Sequence, residues 1–316
     1  MAYLKNRPAW IQLMIFISMA FGIFIVISLI GVIILGKVTG INIMDMADPD
    51  TWDYNDPALL GFIRGMLVIQ FIGLFLLPAL VFSYFADPKP LDYFGLKKPV
   101  KNFYYLAGAL ALVISLPLVD WLGALNREVN FPDAMEGWLT KSEDDAARQI
   151  EFLLNRNTTA DLLINLVVIA VFAGVGEELL FRGVLQRLLI RIFKSPMAGI
   201  IVVAFVFSAI HFQFFGFLPR FILGIVLGMI YWYSGSLWPA IIAHFAYDAV
   251  AVIAVHFNPE LLTNTEATLF TDGISWIYAL TSFVFMGAII WYMKVQSTVT
   301  YEKVYAGEET EDPFST

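Results

Sequence analysis

Cysteine is absent from this 316-residue chain. That excludes disulfides, thiolate metal sites and a cysteine nucleophile, and it removes redox logic as a guide to compartment. Charge is scarce: Asp, Glu, Lys and Arg make up 15% of the residues, against about 25% in a typical soluble domain. There is no basic tract and no zinc-finger spacing, so no nucleic-acid partner is expected. A His-Glu-x-x-His helix is missing, which excludes the zincin arrangement, and no Gly-x-Ser-x-Gly elbow offers a serine nucleophile. Internal repeats and low-complexity segments are also missing.

What the chain has in excess is apolar surface. It is 59% hydrophobic with a mean hydropathy of +0.75, too much to hide in one globular core, so the expected solvent is a lipid bilayer. A spanning helix needs about 20 apolar residues. Eight segments qualify, at 10–36, 58–85, 103–123, 160–181, 197–217, 219–234, 237–257 and 274–293, with the short sixth the least secure. Open strands in lipid leave backbone groups unpaired, so the expected fold class is all-α: a polytopic membrane helical bundle of about eight transmembrane helices. The apolar run Trp10 to Leu35 is longer than a signal h-region and lacks a small-residue cleavage site, so it reads as a retained span.

The loops suggest an orientation. Lys5 and Arg7 precede the first span; the 37–57 loop carries Asp45, Asp48, Asp50, Asp53 and Asp56 against Lys37 alone; the 86–102 loop carries Lys89, Lys97, Lys98 and Lys101; Arg187, Arg191 and Lys194 flank the next turn. The positive-inside rule then puts both termini in the cytoplasm, in a plasma (inner) membrane. The 124–158 stretch is too polar to span; Asp144–Leu154 within it reads either as an amphipathic surface helix or as a solvated loop. The organisation expected is 1–158 (three spans with polar loops), 159–257 (a core of four spans carrying the polar residues) and 258–316 (the last span and an acidic tail).

The informative residues are the ionisable ones inside these spans, each of which costs roughly 2.5–3.5 kcal/mol at mid-bilayer. Glu177 and Glu178 follow an apolar run, with Arg182 four residues after Glu178 on the same helical face and in the favourable order. Glu177 points about 100° away and is left over, and an unpaired carboxylate in such a site can accept a proton near neutrality. His211 lies within the run that starts at Met197. His244 and Asp248 lie four apart in a later run. Taken singly, each admits a bland reading: a helix end reaching water, a histidine bonded to a neighbouring helix, a pair that satisfies itself. His256, beside Asn258 and Pro259, reads as interfacial.

Depth brings the three sets together. Lys194-Ser195-Pro196 is a natural turn; Glu177 lies 18 residues before Ser195 and His211 lies 16 after it, which at about 1.5 Å per residue places them at similar levels. His244 and Asp248 lie 9 and 13 residues beyond a second turn at Gly235. Two carboxylates, an arginine, two imidazoles and an aspartate can therefore converge at one membrane level. Glu and His around a water suit hydrolysis, the carboxylate taking the proton and the imidazole stabilising the oxyanion. Two His and a carboxylate, Glu177, His211 and His244, could also hold a divalent metal such as zinc, with the second Glu as base.

Glu177-Glu178-x-x-x-Arg182, Phe207-x-x-x-His211 and His244-x-x-x-Asp248 resemble, in order, the three motifs of the CAAX prenyl protease and bacteriocin-processing (CPBP, or Abi) family of intramembrane endopeptidases. Ser234 to His244 resembles the family's lead-in to its last motif. The resemblance covers about 160–255. It implies a protease cutting peptide bonds of a membrane-associated or lipidated (CAAX-like) peptide or protein. In it Glu177 would be the catalytic glutamate that activates water, Glu178 and Arg182 its supporting pair, and His211, His244 and Asp248 the residues that hold the water and stabilise the oxyanion. The last position is often Asn in the family, with Asp an accepted variant. Both a metalloprotease and a metal-free glutamate mechanism are argued for the family. Two other readings stay open: an ion- or proton-coupled transporter, against which stands the lack of an inverted repeat or paired broken helices, and a catalytically silent immunity or scaffold member.

Overall fold

The computed structural model describes residues 3–47, 49–129, 131–156, 158–263 and 276–305. Asp48 of the acidic loop, the first two residues of the expected span 274–293 and the acidic tail from 306 lie outside the described residues.

Among the described residues, seven helices are long and apolar enough to cross a membrane: α1 (Ala9–Thr39), α2 (Pro57–Ala86), α3 (Phe103–Arg127), α5 (Thr159–Phe193), α7 (Phe214–Ser234), α8 (Trp238–Phe257) and α9 (Trp276–Gln296). Between them lie α4 (Asp133–Leu154), which is amphipathic, and α6 (Pro196–Ala209), which is apolar but short. The chain is a polytopic all-α membrane bundle. α8 packs between α3, α5 and α7, the α5–α6 hairpin packs along α7, and α9 closes against α3. The shared core runs from Phe16 and Phe82 through Phe94, Tyr104 and Phe181 to Leu227 and Ile230. α1 fully buries only Gln12, Phe16 and Ala20, packs Leu13 and Met19 against the core, and exposes Met14, Phe21, Leu29, Ile30 and Ile34, as a lipid-facing helix must.

Two of the sequence boundaries shift. The fifth expected span, 197–217, stops at Ala209, and the sixth, thought the less secure, is the full-length α7. The cause is local. His211 Nδ1 donates to the Phe207 carbonyl (2.7 Å) and Ser208 Oγ donates to the Phe217 carbonyl (2.6 Å). Phe212 then takes a left-handed conformation (φ 53°), unusual for a bulky side chain. Side-chain bonding to backbone thus replaces the next helical turn, which hydropathy alone does not register. The surface helix is also longer than Asp144–Leu154: α4 starts at Asp133. Its first half sets Met135, Trp138 and Leu139 at helical spacing among polar residues. The helix as a whole is supported by pairs at helical spacing, Lys141–Asp145 (3.8 Å) and Asp145–Arg148, and by burial of Leu139, Phe152 and Leu153.

The turns gather at two ends. At one, Leu4 N donates to Phe85 O (2.9 Å), Leu237 N to Gly95 O (2.9 Å), and Lys101 Nζ to Gln296 Oε1 (2.5 Å). Gly235 reverses the chain there with φ 63°, a conformation that favours glycine. This end collects the basic 86–102 loop, the 194–196 turn, the segment before α1 and the last turn of α9. At the other lie the acidic loop, α4 and the 210–216 turn. Asp50 joins the first two of these through Lys141 (2.7 Å) and Arg148 (2.8 Å).

Candidate active site

The site forms where α5, α6 and α8 meet, on the flank of the bundle nearer α4. α5 is not a plain α-helix. It widens into π turns at Leu166–Val171 and again at Glu178–Gln186, a distortion that often marks functional positions. The second π turn starts at Glu178, whose side chain is fully buried and faces two partners at once. Its Oε1 accepts from Arg182 Nη1 (2.8 Å) and from His244 Nδ1 on α8 (2.8 Å). Arg182, also fully buried, donates through Nη2 to the Gly224 carbonyl on α7 (3.1 Å). A single carboxylate oxygen therefore ties α5 to α8, and the same ion pair ties α5 to α7.

Glu177 stands apart from this pair, as its 100° offset requires. Its side chain is 14% exposed whereas that of Glu178 is 0% exposed, and that difference separates their possible roles. Glu177 Oε2 lies 3.9 Å from His244 Nε2, and Asp248 Oδ2 lies 3.4 Å from the same nitrogen. His244 is thus surrounded by three carboxylates, bonded to Glu178 through one ring nitrogen and turned toward Glu177 and Asp248 with the other.

His211 is placed differently. It lies in the turn beyond α6, not within a span, and its Nδ1 is committed to the Phe207 carbonyl. A carbonyl can only accept, so Nδ1 carries the hydrogen and Nε2 is left for water or substrate. The link between the two imidazoles is Phe207. Its ring meets His211 edge-on at 5.1 Å and His244 at 6.3 Å, with the Arg182 guanidinium 4.9 Å from its centroid. The i, i+4 spacing of Phe207 and His211 is the sequence signal for this ring contact.

Glu177 and Asp248 form the polar end of an otherwise largely apolar cavity of about 410 Å³. Phe71 and Phe75 of α2, Val168 and Phe172 of α5, Val252 of α8 and Leu153 of α4 are among its walls. Phe71 and Phe172 stack with centroids 4.3 Å apart, and each lies in or next to a π turn. Arg220, near the start of α7, is a further charged residue, beside the 210–216 turn. It interacts electrostatically with both Glu177 and His211.

The metal set Glu177, His211 and His244 does not assemble here. Among the described residues no three His, Asp or Glu side chains are grouped so as to hold one ion. Each imidazole commits Nδ1, to the Phe207 carbonyl in His211 and to Glu178 in His244, and no step below passes through a metal.

Comparison with known proteins agrees with the motifs. Residues 159–250 match the family model described as type II CAAX prenyl endopeptidase Rce1-like. A stretch of 98 residues is 29% identical to the uncharacterized protein YpbD of Bacillus subtilis (strain 168), covering 30% of this chain and 47% of that protein, so the chain spans about half the length of the relative it matches. No solved structure matches the chain.

Proposed function

We propose that this chain, whose residues 159–250 match the model of type II CAAX prenyl endopeptidases, Rce1-like, is an intramembrane endopeptidase in which Glu177 activates a water against a peptide bond of a membrane-associated or lipidated substrate. The observation that carries this reading is the division of labour between adjacent carboxylates. Glu178 is sealed and doubly bonded, whereas Glu177 opens on the cavity within 3.9 Å of an imidazole.

The chemistry follows from that division. Water held between Glu177 and His244 gives one proton to Glu177 while its oxygen bonds to the carbonyl carbon, and the carbonyl π electrons move onto oxygen. The oxyanion is met by ring N–H donors of His244 or His211 in their protonated form. Collapse breaks the C–N bond, and Glu177 returns its proton to the leaving amine. Glu178, Arg182 and Asp248 act on this through His244, by fixing the ring's orientation. The apolar cavity suits the lipid chain or apolar side chains of a membrane-embedded substrate.

The orientation proposed places the 86–102 loop, the segment before α1 and the last turn of α9 on the cytoplasmic side, because these basic segments share one end of the bundle. Incubation of the purified full chain with a farnesylated peptide in oxygen-18 water tests the function. A single heavy oxygen in the new carboxylate is the expected product by mass spectrometry. Absence of cleavage together with ion flux in proteoliposomes would replace the reading with that of an ion-coupled transporter.

A further inference from the structure

Arg220 is held in a particular pose. Its Nη1 donates to Gln213 Oε1 at 2.7 Å, and its Nη2 donates to the Gln213 carbonyl. The guanidinium lies against Gly216: a Cβ there would sit 2.8 Å from Nη1 and 3.0 Å from Cζ, so only glycine leaves the cation this seat. Gln213 and Gly216 belong to the same turn as His211. The acidic groups in electrostatic reach of Arg220 are Glu177 of α5 and Glu143 of α4. Neither forms an ion pair with it. Glu143 Oε1 accepts instead from Phe215 N (2.9 Å), and among the described residues no carboxylate oxygen lies within 4.0 Å of the guanidinium. Its Nε is buried without a hydrogen-bond partner.

A half-buried arginine, pre-oriented by neutral groups and left without a counter-ion beside a hydrolytic site, is built to accept an anion from outside the chain. For a peptide substrate the anion at hand is a carboxylate. We propose that Arg220 is a specificity-determining residue that receives a carboxylate of the substrate at the turn that carries His211. The inference rests on the peptidase reading but concerns a different residue and a different measurement. The carboxylate has two possible sources, the C-terminus of the peptide and an acidic side chain within it.

The test uses a farnesylated cysteine peptide with three residues after the cysteine, made as the free acid, as the C-terminal amide, and as the amide with a Glu in the last position. The full chain should favour the free acid, or the Glu-bearing amide, over the plain amide by roughly 10- to 100-fold in kcat/KM, the worth of a charge-assisted hydrogen bond. Which of the two is favoured identifies the source. Arg220→Gln should erase the preference by raising KM for the acidic peptide alone. Gly216→Ala, which displaces the guanidinium but keeps its charge, should reduce it. Arg220→Lys should retain part of it. If Arg220 only offsets the charge of Glu177, all three peptides lose equally and in kcat, and the proposal is overturned; equal use of acid and amide by the unaltered chain overturns it too. Where no peptide is cleaved, polarisation binding of fluorescent versions to the full chain carries the same comparison, and binding without preference for the carboxylate is decisive against it. Failure of the peptidase reading shows separately, as absence of cleavage of all three peptides by the unaltered chain together with ion flux in proteoliposomes.

Discussion

His244 Nδ1 and Glu178 Oε1 lie 2.8 Å apart although 66 residues separate them in the chain. That bond, made to the same oxygen that Arg182 occupies, joins the first and last motifs of the site and leaves Glu177, with Asp248, facing the cavity.

Removing one partner from the sealed pair should be severe. Arg182→Met strands a buried Glu178 carboxylate, and loss of one partner of a buried pair costs about 3–5 kcal/mol. Arg182→Met combined with Glu178→Gln removes both charges, so its loss should be smaller than the sum of the single losses. Thermal unfolding in detergent, with all four chains measured together, checks both statements. Additive losses would mean that the pair is not coupled as its geometry shows.

Asp248 faces His244 without a bond as short as that of Glu178. Asp248→Asn keeps a polar group at the same place and should retain cleavage within about tenfold. Asp248→Leu should lose on the order of 100-fold, a value at the low end of general acid–base contributions. Steady-state rates on one lipidated peptide decide this. Equal rates for Leu and the unaltered chain would remove Asp248 from the site.

Much of this was legible in the sequence. Charges at Glu177, Glu178, Arg182, His244 and Asp248 are conspicuous in apolar runs because lipid makes them costly, and the i, i+4 spacings gave both intrahelical relations. The Glu178–Arg182 pair forms at that spacing. The end of α6 was not legible, because it depends on the side chains of Ser208 and His211 capturing carbonyls where hydropathy continues unbroken. Arg220 was hidden by its place beside a turn, where a cation is ordinary. Its significance lies in tertiary contacts with Gln213 and Gly216. The first half of α4 was hidden because its apolar stripe is short, Met135, Trp138 and Leu139 among polar residues, and of these three Leu139 is the buried one.

The cavity next to Glu177 gives a size prediction. Ala251 lines it, and Ala251→Trp should fill part of its space. Turnover of a farnesylated peptide should fall about tenfold or more, equivalent to about 1.4 kcal/mol of barrier, with little change in melting temperature. Unchanged turnover would place the lipid chain elsewhere.

The clamp on α4 should depend on pH. Hydrogen bonds from Lys141, and then Arg148, hold the Asp50 carboxyl below its ordinary value. A depressed carboxyl contributes stability that is present above its unfolded value and lost as pH falls through the lower folded one. Hydrogen exchange in α4 should therefore be steady at neutral pH and rise only below about pH 4, the ordinary carboxylate range. Asp50→Asn should raise exchange at neutral pH, and salt should do so partially because the pairs are exposed. Exchange indifferent to both changes would show that burial of Leu139, Phe152 and Leu153 alone holds the helix.

The most direct test of the account is Glu177→Gln in the full chain, verified as folded by an unchanged melting temperature and assayed on a lipidated peptide. Loss of cleavage by about 100-fold or more is the expected result for removal of a general base. Cleavage at the unaltered rate in a folded Glu177→Gln chain would contradict the central claim, that this carboxylate activates the attacking water.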